Sequence, residues 1–269
     1  MKNYYRSVLS VLLLLIILSG CSANDKTTAE NSNKQDASQD KVELTVSAAA
    51  SLQDALTDIK ADFEKENPNI ILHFNFGGSG ALQQQISQGA PVDVFVSAAE
   101  DKFQILVDDG LIEKSDSTDL VGNELVLVVP RDSDKGIKSF EDLTKTGKIA
   151  LGTPESVPAG QYGKDTLESL NLWTKLEDKV IYAKDVRQVL TYVETNNVDA
   201  GIVYKTDALT SDKVEIAATA EESSHDPIIY PAGVIKNSTY YAEAKTFYDY
   251  LQGVNSLKIL EQYGFKGMK

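Results

Sequence analysis

From about Val42 to its C-terminus, the chain alternates short β-branched runs with amphipathic helical patterns, which restricts its fold more than any other feature. The run Val42–Val46 predicts a strand. Apolar residues at helical spacing over 52–66 predict the helix that follows, and Asn67-Pro68 ends it. Strand–helix–strand repeats of this kind form open sheets covered by helices. The sequence therefore predicts an α/β fold, with its elements grouped in two lobes.

The same alternation continues to the end of the chain. Further strands are predicted at 70–76, 92–96, 124–129, 148–151, 180–183, 200–203 and 228–235. Further helices are predicted at 81–88, 100–108, 158–170, 185–194, 240–251 and 255–263.

The first 20 residues have the pattern of an export signal. Lys2 and Arg6 precede an apolar run at 8–18, which is shorter than the roughly 20 residues that span a membrane. Small residues directly before Cys21 resemble a bacterial lipobox, which implies cleavage there and a lipid on the Cys21 sulfur. We therefore predict a lipoprotein signal peptide and a protein anchored on the extracytoplasmic face of the cell membrane. An uncleaved anchor helix is the alternative.

Residues 21–41 are predicted to form a flexible tether. Beyond Cys21 they are almost all small or polar and include no aromatic side chain, so they cannot bury enough apolar surface to fold. About 20 residues of random coil span roughly 25 Å. Cys21 is the only cysteine, so the folded body contains no disulfide of its own.

The net charge argues against nucleic acid as a partner. The formal charge of the chain is −14, and it becomes −16 once Lys2 and Arg6 are removed with the leader. A body this acidic repels anions at long range. An anionic ligand would therefore have to be held by local dipoles.

Candidate catalytic groups are few. Only His73 and His225 are histidines, and they form no cluster with metal-ligand spacing. Gly77-Gly78-Ser79-Gly80-Ala81 is close to the G-x-S-x-G turn of hydrolases, and His225 follows it in the chain. A lipid-anchored serine hydrolase that uses Ser79 is therefore one alternative.

The same turn has two other interpretations. Glycines and a helix N-terminus can point backbone N–H groups at an anion, with Ser79 as a further donor. Ser79 can also be an ordinary helix cap. Similar helix starts are predicted at Ser51 (with Asp54 completing a capping box), at Pro158 and at Asp185. Because helix N-termini in such folds lie at the carboxyl ends of strands, these starts could form one shell of donors.

Several motifs together resemble the molybdate-binding proteins that serve ABC transporters. They occur in the family order over essentially the whole body: 47–52 (SAAASL), 76–82, 89–98 (GAPVDVFVSA), 122–128 (GNELVLV), 153–160 (TPESVPAG), 185–187 (DVR), 201–204 (GIVY), 247–251 and 263–265. The resemblance implies a two-lobed periplasmic-binding-protein fold of type II with the ligand in the interlobe cleft. It also implies chain crossovers near 122–124 and 228–231. Lobe I would then comprise 42–123 and 229–269, and lobe II would comprise 124–228.

The resemblance also implies a ligand site. By position, the family's contacts fall on Ser51, Ser79, Ala159, Val186 and Tyr204. The serines would donate from hydroxyl and backbone groups, Ala159 and Val186 from backbone N–H, and Tyr204 from its phenol. The chain departs from several members in having Gly78 and Gly80 where they have serines.

Molybdate and tungstate suit such a site, because both are dianions whose oxygens only accept hydrogen bonds. The resemblance thus implies a monomeric binding protein that passes molybdate to an ABC transporter permease, performs no catalysis and needs no cofactor. Its only metal would be the molybdenum of the bound oxyanion. A binder of sulfate or thiosulfate and an adhesin-like surface protein are further alternatives.

Overall fold

The computed structural model describes residues 41–268. The predicted signal peptide, the lipidation site at Cys21 and the tether up to position 40 lie outside the described residues. Within 41–268, no helix combines the length and the apolar character that a membrane crossing requires.

The described residues form two mixed sheets surrounded by helices. The strands are β1 (Val42–Ala49), β2 (Ile70–Gly77), β3 (Val94–Val96), β4 (Ile112–Gly122), β5 (Leu125–Pro130), β6 (Ile149–Gly152), β7 (Val180–Ala183), β8 (Ala200–Tyr204), β9 (Val214–Thr219), β10 (Ile229–Ile235) and β11 (Lys266–Gly267). The α-helices are α1 (Gln53–Glu66), α2 (Ser79–Ser87), α3 (Glu100–Asp108), α4 (Pro158–Ser169), α5 (Trp173–Leu176), α6 (Val186–Glu194), α7 (Lys205–Leu209), α8 (Tyr241–Leu251) and α9 (Val254–Gln262). Short 3₁₀ helices occur at Ala50–Leu52, Glu141–Lys145, Glu177–Lys179 and Glu222–Ser224.

Each sheet is the centre of one lobe. We call lobe I the sheet β11-β4-β10-β3-β1-β2 with its helices, and lobe II the sheet β7-β6-β8-β5-β9 with its helices. The chain passes from lobe I to lobe II between Gly122 and Leu125, and it returns between Thr219 and Ile229. The α/β class predicted from the alternating pattern is confirmed.

Parallel pairing places the C-terminal ends of neighbouring strands together on one side of each sheet. In lobe I, β1 is parallel to both β2 and β3, with Ala49 opposite Gly77 and Ala48 opposite Val96. In lobe II, β6 is parallel to both β7 and β8. Since parallel strands end on the same side, the helices that follow them begin on the same side too. These helix starts face one another across the cleft between the lobes.

The core explains why the predicted strands form where they do. Every residue of β5, β6 and β8 is buried, as continuous apolar runs predict for strands covered on both faces. The predicted apolar stripe of α1, which includes Leu56, Ile59 and Phe63, is buried as well. Burial of such side chains from water is the main favourable contribution to folding.

Several local predictions were wrong. We did not predict β4, because its residues 113–119 are exposed or half-buried and all polar. We also did not predict β9, a short strand at the edge of its sheet. The predicted capping box at Ser51 does not form. Residues 50–52 make a 3₁₀ turn instead, with no side-chain cap, and the Ser51 hydroxyl contacts Tyr230. The predicted helix at 81–88 begins two residues earlier, at Ser79.

Candidate functional site

The five predicted ligand residues come together around one small cavity between the lobes. The cavity is partly open to solvent and has a volume of only about 10 Å³. It is lined by Ala49, Ala50, Ser51, Gly77, Gly78, Ser79, Ala98, Val157, Pro158, Ala159, Val186 and Tyr204. Residues more than 150 positions apart in the sequence thus share one site.

Ser79 is oriented by the backbone of lobe I. It is the first residue of α2 and is fully buried. The backbone N–H of Ala98 donates to the Ser79 Oγ at 2.9 Å, so the serine oxygen is already used as an acceptor. A hydroxyl has one donor hydrogen, and this contact leaves that hydrogen free for a ligand. The alternative that Ser79 caps its helix is wrong, since its side chain makes no cap hydrogen bond.

Ser51 is oriented in a similar way by two side chains. Its Oγ lies 2.8 Å from the Tyr230 hydroxyl, which in turn accepts a hydrogen bond from Asn123 Nδ2 at 3.1 Å. The direction that satisfies all three groups has Tyr230 donate to Ser51, which leaves the Ser51 hydrogen free. All three side chains are buried.

Ala159 and Val186 can contribute only backbone donors to the cavity. Ala159 is the second residue of α4, after Pro158 at the N1 position. Val186 is the first residue of α6, and its predicted cap Asp185 accepts from the Gln188 N–H at 2.8 Å. The first N–H groups of a helix have no acceptor within that helix. Both residues therefore present donors at the positive end of a helix dipole.

Tyr204 closes the cavity from the end of β8. Its side chain is buried, and its hydroxyl donates to the Ala98 carbonyl oxygen across the cleft at 3.3 Å. Burial raises the pKa of Tyr204 well above its ordinary value, and the neighbouring phenol of Tyr230 adds to the shift. Tyr204 therefore keeps its proton at physiological pH. That single hydrogen is donated to Ala98 here, so the hydroxyl would have to turn away from Ala98 to donate to a ligand.

None of the twelve residues that line the cavity carries a charge. The site offers hydroxyl and N–H donors at helix starts, which suits an anion, and it offers no carboxylate that could accept from a protonated ligand. With no charged residue in the cavity wall, the electrostatic potential there is set by local dipoles, as expected for a strongly acidic chain.

Neither histidine belongs to the site. His73 lies on β2, with its Nε2 3.3 Å from the Glu43 carboxylate on β1. His225 packs against Tyr162, and its Nδ1 is 2.7 Å from the Asp226 carbonyl oxygen. Ser79 thus has no base beside it and cannot form the triad that a serine hydrolase requires. Among residues 41–268, no group of three or more His, Cys, Asp and Glu side chains is arranged to hold a metal ion.

Gly78 and Gly80 have a role that the sequence did not indicate. A Cβ on Gly78 would lie 2.7 Å from the Ser156 carbonyl oxygen, and one on Gly80 would lie 2.9 Å from the Ser156 Cα. The Gly80 N–H also donates to the Ser156 oxygen at 3.0 Å. These two glycines let the turn of lobe I pack directly on the backbone of lobe II.

Three groups that orient the site escaped prediction: the Ala98 peptide, Asn123 and Tyr230. Ala98 and Asn123 lie inside motifs that the resemblance had already singled out, but neither was assigned a role. Tyr230 lies in a strand that was predicted only as structure. Their function depends on contacts with residues far away in the sequence, which periodicity cannot show.

Comparison with known proteins shows the family of the chain. The family model described as bacterial extracellular solute-binding protein matches residues 44–266. The chain is 55% identical over 98% of its length to a Bacillus subtilis (strain 168) protein, provisionally named ABC transporter substrate-binding lipoprotein YvgL, and covers 99% of that protein. It is 40% identical to the molybdate-binding protein ModA of Escherichia coli (strain K12), over 84% of this chain and 90% of the relative.

Solved structures show the same fold. The periplasmic molybdate-binding protein of Azotobacter vinelandii superposes with a TM-score of 0.75 at 23% identity, covering 84% of this chain and all of the other. The sulfate-binding protein SubI of Mycobacterium tuberculosis H37Rv also superposes with a TM-score of 0.75, at 17% identity over 85% of this chain and 88% of that protein. The predicted type II periplasmic-binding-protein fold and the resemblance to molybdate-binding proteins are confirmed. The chain belongs to the bacterial extracellular solute-binding proteins and is a binding protein, not an enzyme.

Proposed function

We propose that the protein captures molybdate and tungstate for uptake by an ABC transporter. Ser51 and Ser79 would bind the oxyanion through their hydroxyls, and Ala159 and Val186 through their backbone N–H groups. Tyr204 would join them by turning its hydroxyl from the Ala98 carbonyl oxygen to the ligand. The ligand would contact both lobes at once. A ligand that contacts both lobes favours the closed arrangement, which the transporter can then recognise.

One observation carries this proposal: five predicted donors from separate segments line a single uncharged cavity. Donors without acceptors suit a dianion that is fully ionised at neutral pH. A protonated phosphate would need an acceptor for its O–H group, and no carboxylate lines the cavity to supply one. The similarity to relatives named molybdate-binding protein, at 38–40% identity, supports the same ligand.

Sulfate or thiosulfate is the second candidate. Sulfate is also a tetrahedral dianion at neutral pH, so the donor-only rule admits it. The fold is shared with a protein named as sulfate-binding, although at 17% identity that likeness concerns the fold alone. Sulfate is smaller than molybdate, so discrimination between them would depend on how well the closed cavity fits each anion.

Competition calorimetry on the purified full chain tests the ligand. Molybdate and tungstate should each bind tightly with one site per chain, and excess sulfate, thiosulfate or phosphate should not displace them. Tight binding of sulfate that molybdate cannot displace would favour the second candidate. Absence of heat with every oxyanion would contradict the proposal as a whole.

The membrane anchor is part of the proposal. Cys21 lies outside the described residues, and the support comes from its lipobox-like position and from the lipoprotein name of the 55% identical relative. Expression in a Gram-positive host with a labelled fatty acid should label the wild-type chain and leave Cys21→Ala unlabelled. Anchoring also predicts that Cys21→Ala is released into the medium while the wild type stays on the cells. Equal labelling of both would contradict lipidation at Cys21.

A further inference from the structure

We infer that Asp54 and Arg187 form an interlobe latch that holds the cleft closed around its ligand. Asp54 lies in the first turn of α1 in lobe I, and Arg187 lies in the first turn of α6 in lobe II. Arg187 Nη2 is 2.6 Å from Asp54 Oδ2. The inference rests on the proposed function for its ligand, but the contact itself depends only on how the lobes meet.

Arg187 is held in place from within its own lobe. Its Nε lies 2.7 Å from Oδ1 of Asp207, at the start of α7, and that carboxylate is fully buried. Where the Asp207 carboxyl is ionised the contact is an ion pair, although the Nε–H is not aligned for a hydrogen bond. Nη1 also donates to the Thr210 hydroxyl at 3.2 Å. Because lobe II already fixes the planar guanidinium, little side-chain entropy remains to be lost when Asp54 approaches.

The latch lies directly behind the ligand site. Asp54 follows Ser51 by three residues, Arg187 is next to Val186, and Asp207 follows Tyr204 by three residues. Each charged group is thus attached to the same turn as one predicted donor. Separation of the lobes would break the Asp54 contact and leave the Arg187–Asp207 pair intact, since that pair lies within lobe II.

A contact made only in the closed arrangement strengthens binding indirectly. The ligand must supply the free energy that closes the cleft, and the latch reduces that requirement. Asp54 and Arg187 also line an open groove beside the cleft, where salt can reach them. The contribution of the latch should therefore decrease as ionic strength rises.

Because Asp54 is negatively charged, a latch and a simple field effect predict opposite changes in affinity when the charge is removed. A carboxylate near a bound dianion repels it, so if Asp54 acted only through its field, Asp54→Asn would tighten binding. If it acts as a latch, the same change weakens binding. Asp58 is a matched control: it lies one turn later on α1, and its carboxylate accepts from the Tyr263 hydroxyl at 2.7 Å within lobe I.

The experiment measures sodium molybdate binding and dissociation by the full chain and its variants at low and high salt. Asp54→Asn should lower the affinity by about threefold to tenfold, mostly through faster dissociation, as partly exposed ion pairs allow. Asp58→Asn should change it by less than about twofold. Asp54→Glu, which keeps the charge, should recover much of the loss. High salt should reduce the difference between wild type and Asp54→Asn.

A second measurement does not need the ligand. Nitroxide labels on cysteines at the exposed positions Gln104 in lobe I and Lys175 in lobe II, in a Cys21→Ser background, report the distance between the lobes. Asp54→Asn should lower the closed fraction, and Asp58→Asn should not. Unchanged or tighter molybdate binding in Asp54→Asn, or an unchanged closed fraction, would overturn the latch. If the wild type binds no molybdate, the proposed function fails, and the label distances alone decide on the latch.

Discussion

The Ala98 backbone N–H donates to the Ser79 Oγ at 2.9 Å, and this contact fixes which way the serine can donate. The oxygen is occupied as an acceptor, so the hydroxyl hydrogen points away from Ala98 and remains free for a ligand. The Ala98 carbonyl oxygen accepts from Tyr204 of the other lobe at 3.3 Å. The backbone of a single residue of lobe I thus contacts predicted donors from both sides of the cavity.

We therefore expect Ser79→Ala to weaken molybdate binding by about tenfold to a hundredfold. A hydrogen bond to a charged group contributes about 1.5–3 kcal/mol, which corresponds to that range of affinity. Calorimetry measures the change. Ser87→Ala is the matched control, because Ser87 ends the same helix and bonds only Gln83 through its side chain. Equal affinity in wild type and Ser79→Ala would remove Ser79 from the site.

Tyr230→Phe should weaken binding although Tyr230 is absent from the cavity wall. The substitution removes the hydroxyl that orients Ser51 and leaves the Asn123 amide without that acceptor. We expect a loss of about threefold to tenfold, smaller than for a direct donor. Tyr250→Phe serves as the control, since its hydroxyl contacts only Glu66 at the surface at 3.4 Å. A Tyr230→Phe chain with wild-type affinity would show that Ser51 needs no orienting partner.

These contacts show why sequence reasoning reached some residues and missed others. Ser51, Ser79 and Tyr204 lie in short motifs at strand ends, where local pattern and family resemblance coincide. Tyr230 is 179 positions from Ser51, and no local pattern links the two. Asp207 was missed for the same reason: the sequence does not show that it is buried beside Arg187, 20 positions away. The strand β4 was missed because seven consecutive polar residues, 113–119, leave no apolar alternation in it, and β9 is a short edge strand.

Gly80→Ala should prevent full closure of the cleft. The added Cβ would lie 2.9 Å from the Ser156 Cα and 3.1 Å from the carbonyl oxygens of Ser156 and Glu155. Backbone atoms cannot move aside as a flexible side chain can, so the lobes would have to separate slightly and stretch the Gly80–Ser156 hydrogen bond. Overpacking of this kind costs about 1–3 kcal/mol, so molybdate affinity should fall by about tenfold.

The fold should tolerate Gly80→Ala, because the clash lies between the lobes and not within either core. Thermal unfolding of the ligand-free chain should thus stay close to wild type. Gly147→Ala is the control, since its added Cβ meets only the Asp199 carboxylate at 3.4 Å. Wild-type affinity in Gly80→Ala would mean that ligand binding does not need the close backbone contact seen here.

Asp207 should make stability depend on pH in a recognisable direction. Burial raises the pKa of Asp207 to about 7, and the positive charge of Arg187 opposes that rise. In the unfolded chain the carboxyl titrates near its ordinary value of 3.8. Between these two values the folded state binds more protons than the unfolded state. The stability that Asp207 contributes is therefore fully present below about pH 4 and is lost as pH rises towards 7.

Comparison with Asp207→Asn isolates this effect, because every other titrating group is shared by the two proteins. The free energy of unfolding of wild type minus that of Asp207→Asn should decrease from pH 5 to pH 7, by at most about 1.4 kcal/mol per pH unit, and then level off. Denaturant unfolding at a series of pH values measures it. A difference that grows with pH would show the reverse: the ion pair with Arg187 would outweigh burial and hold the Asp207 pKa below its ordinary value.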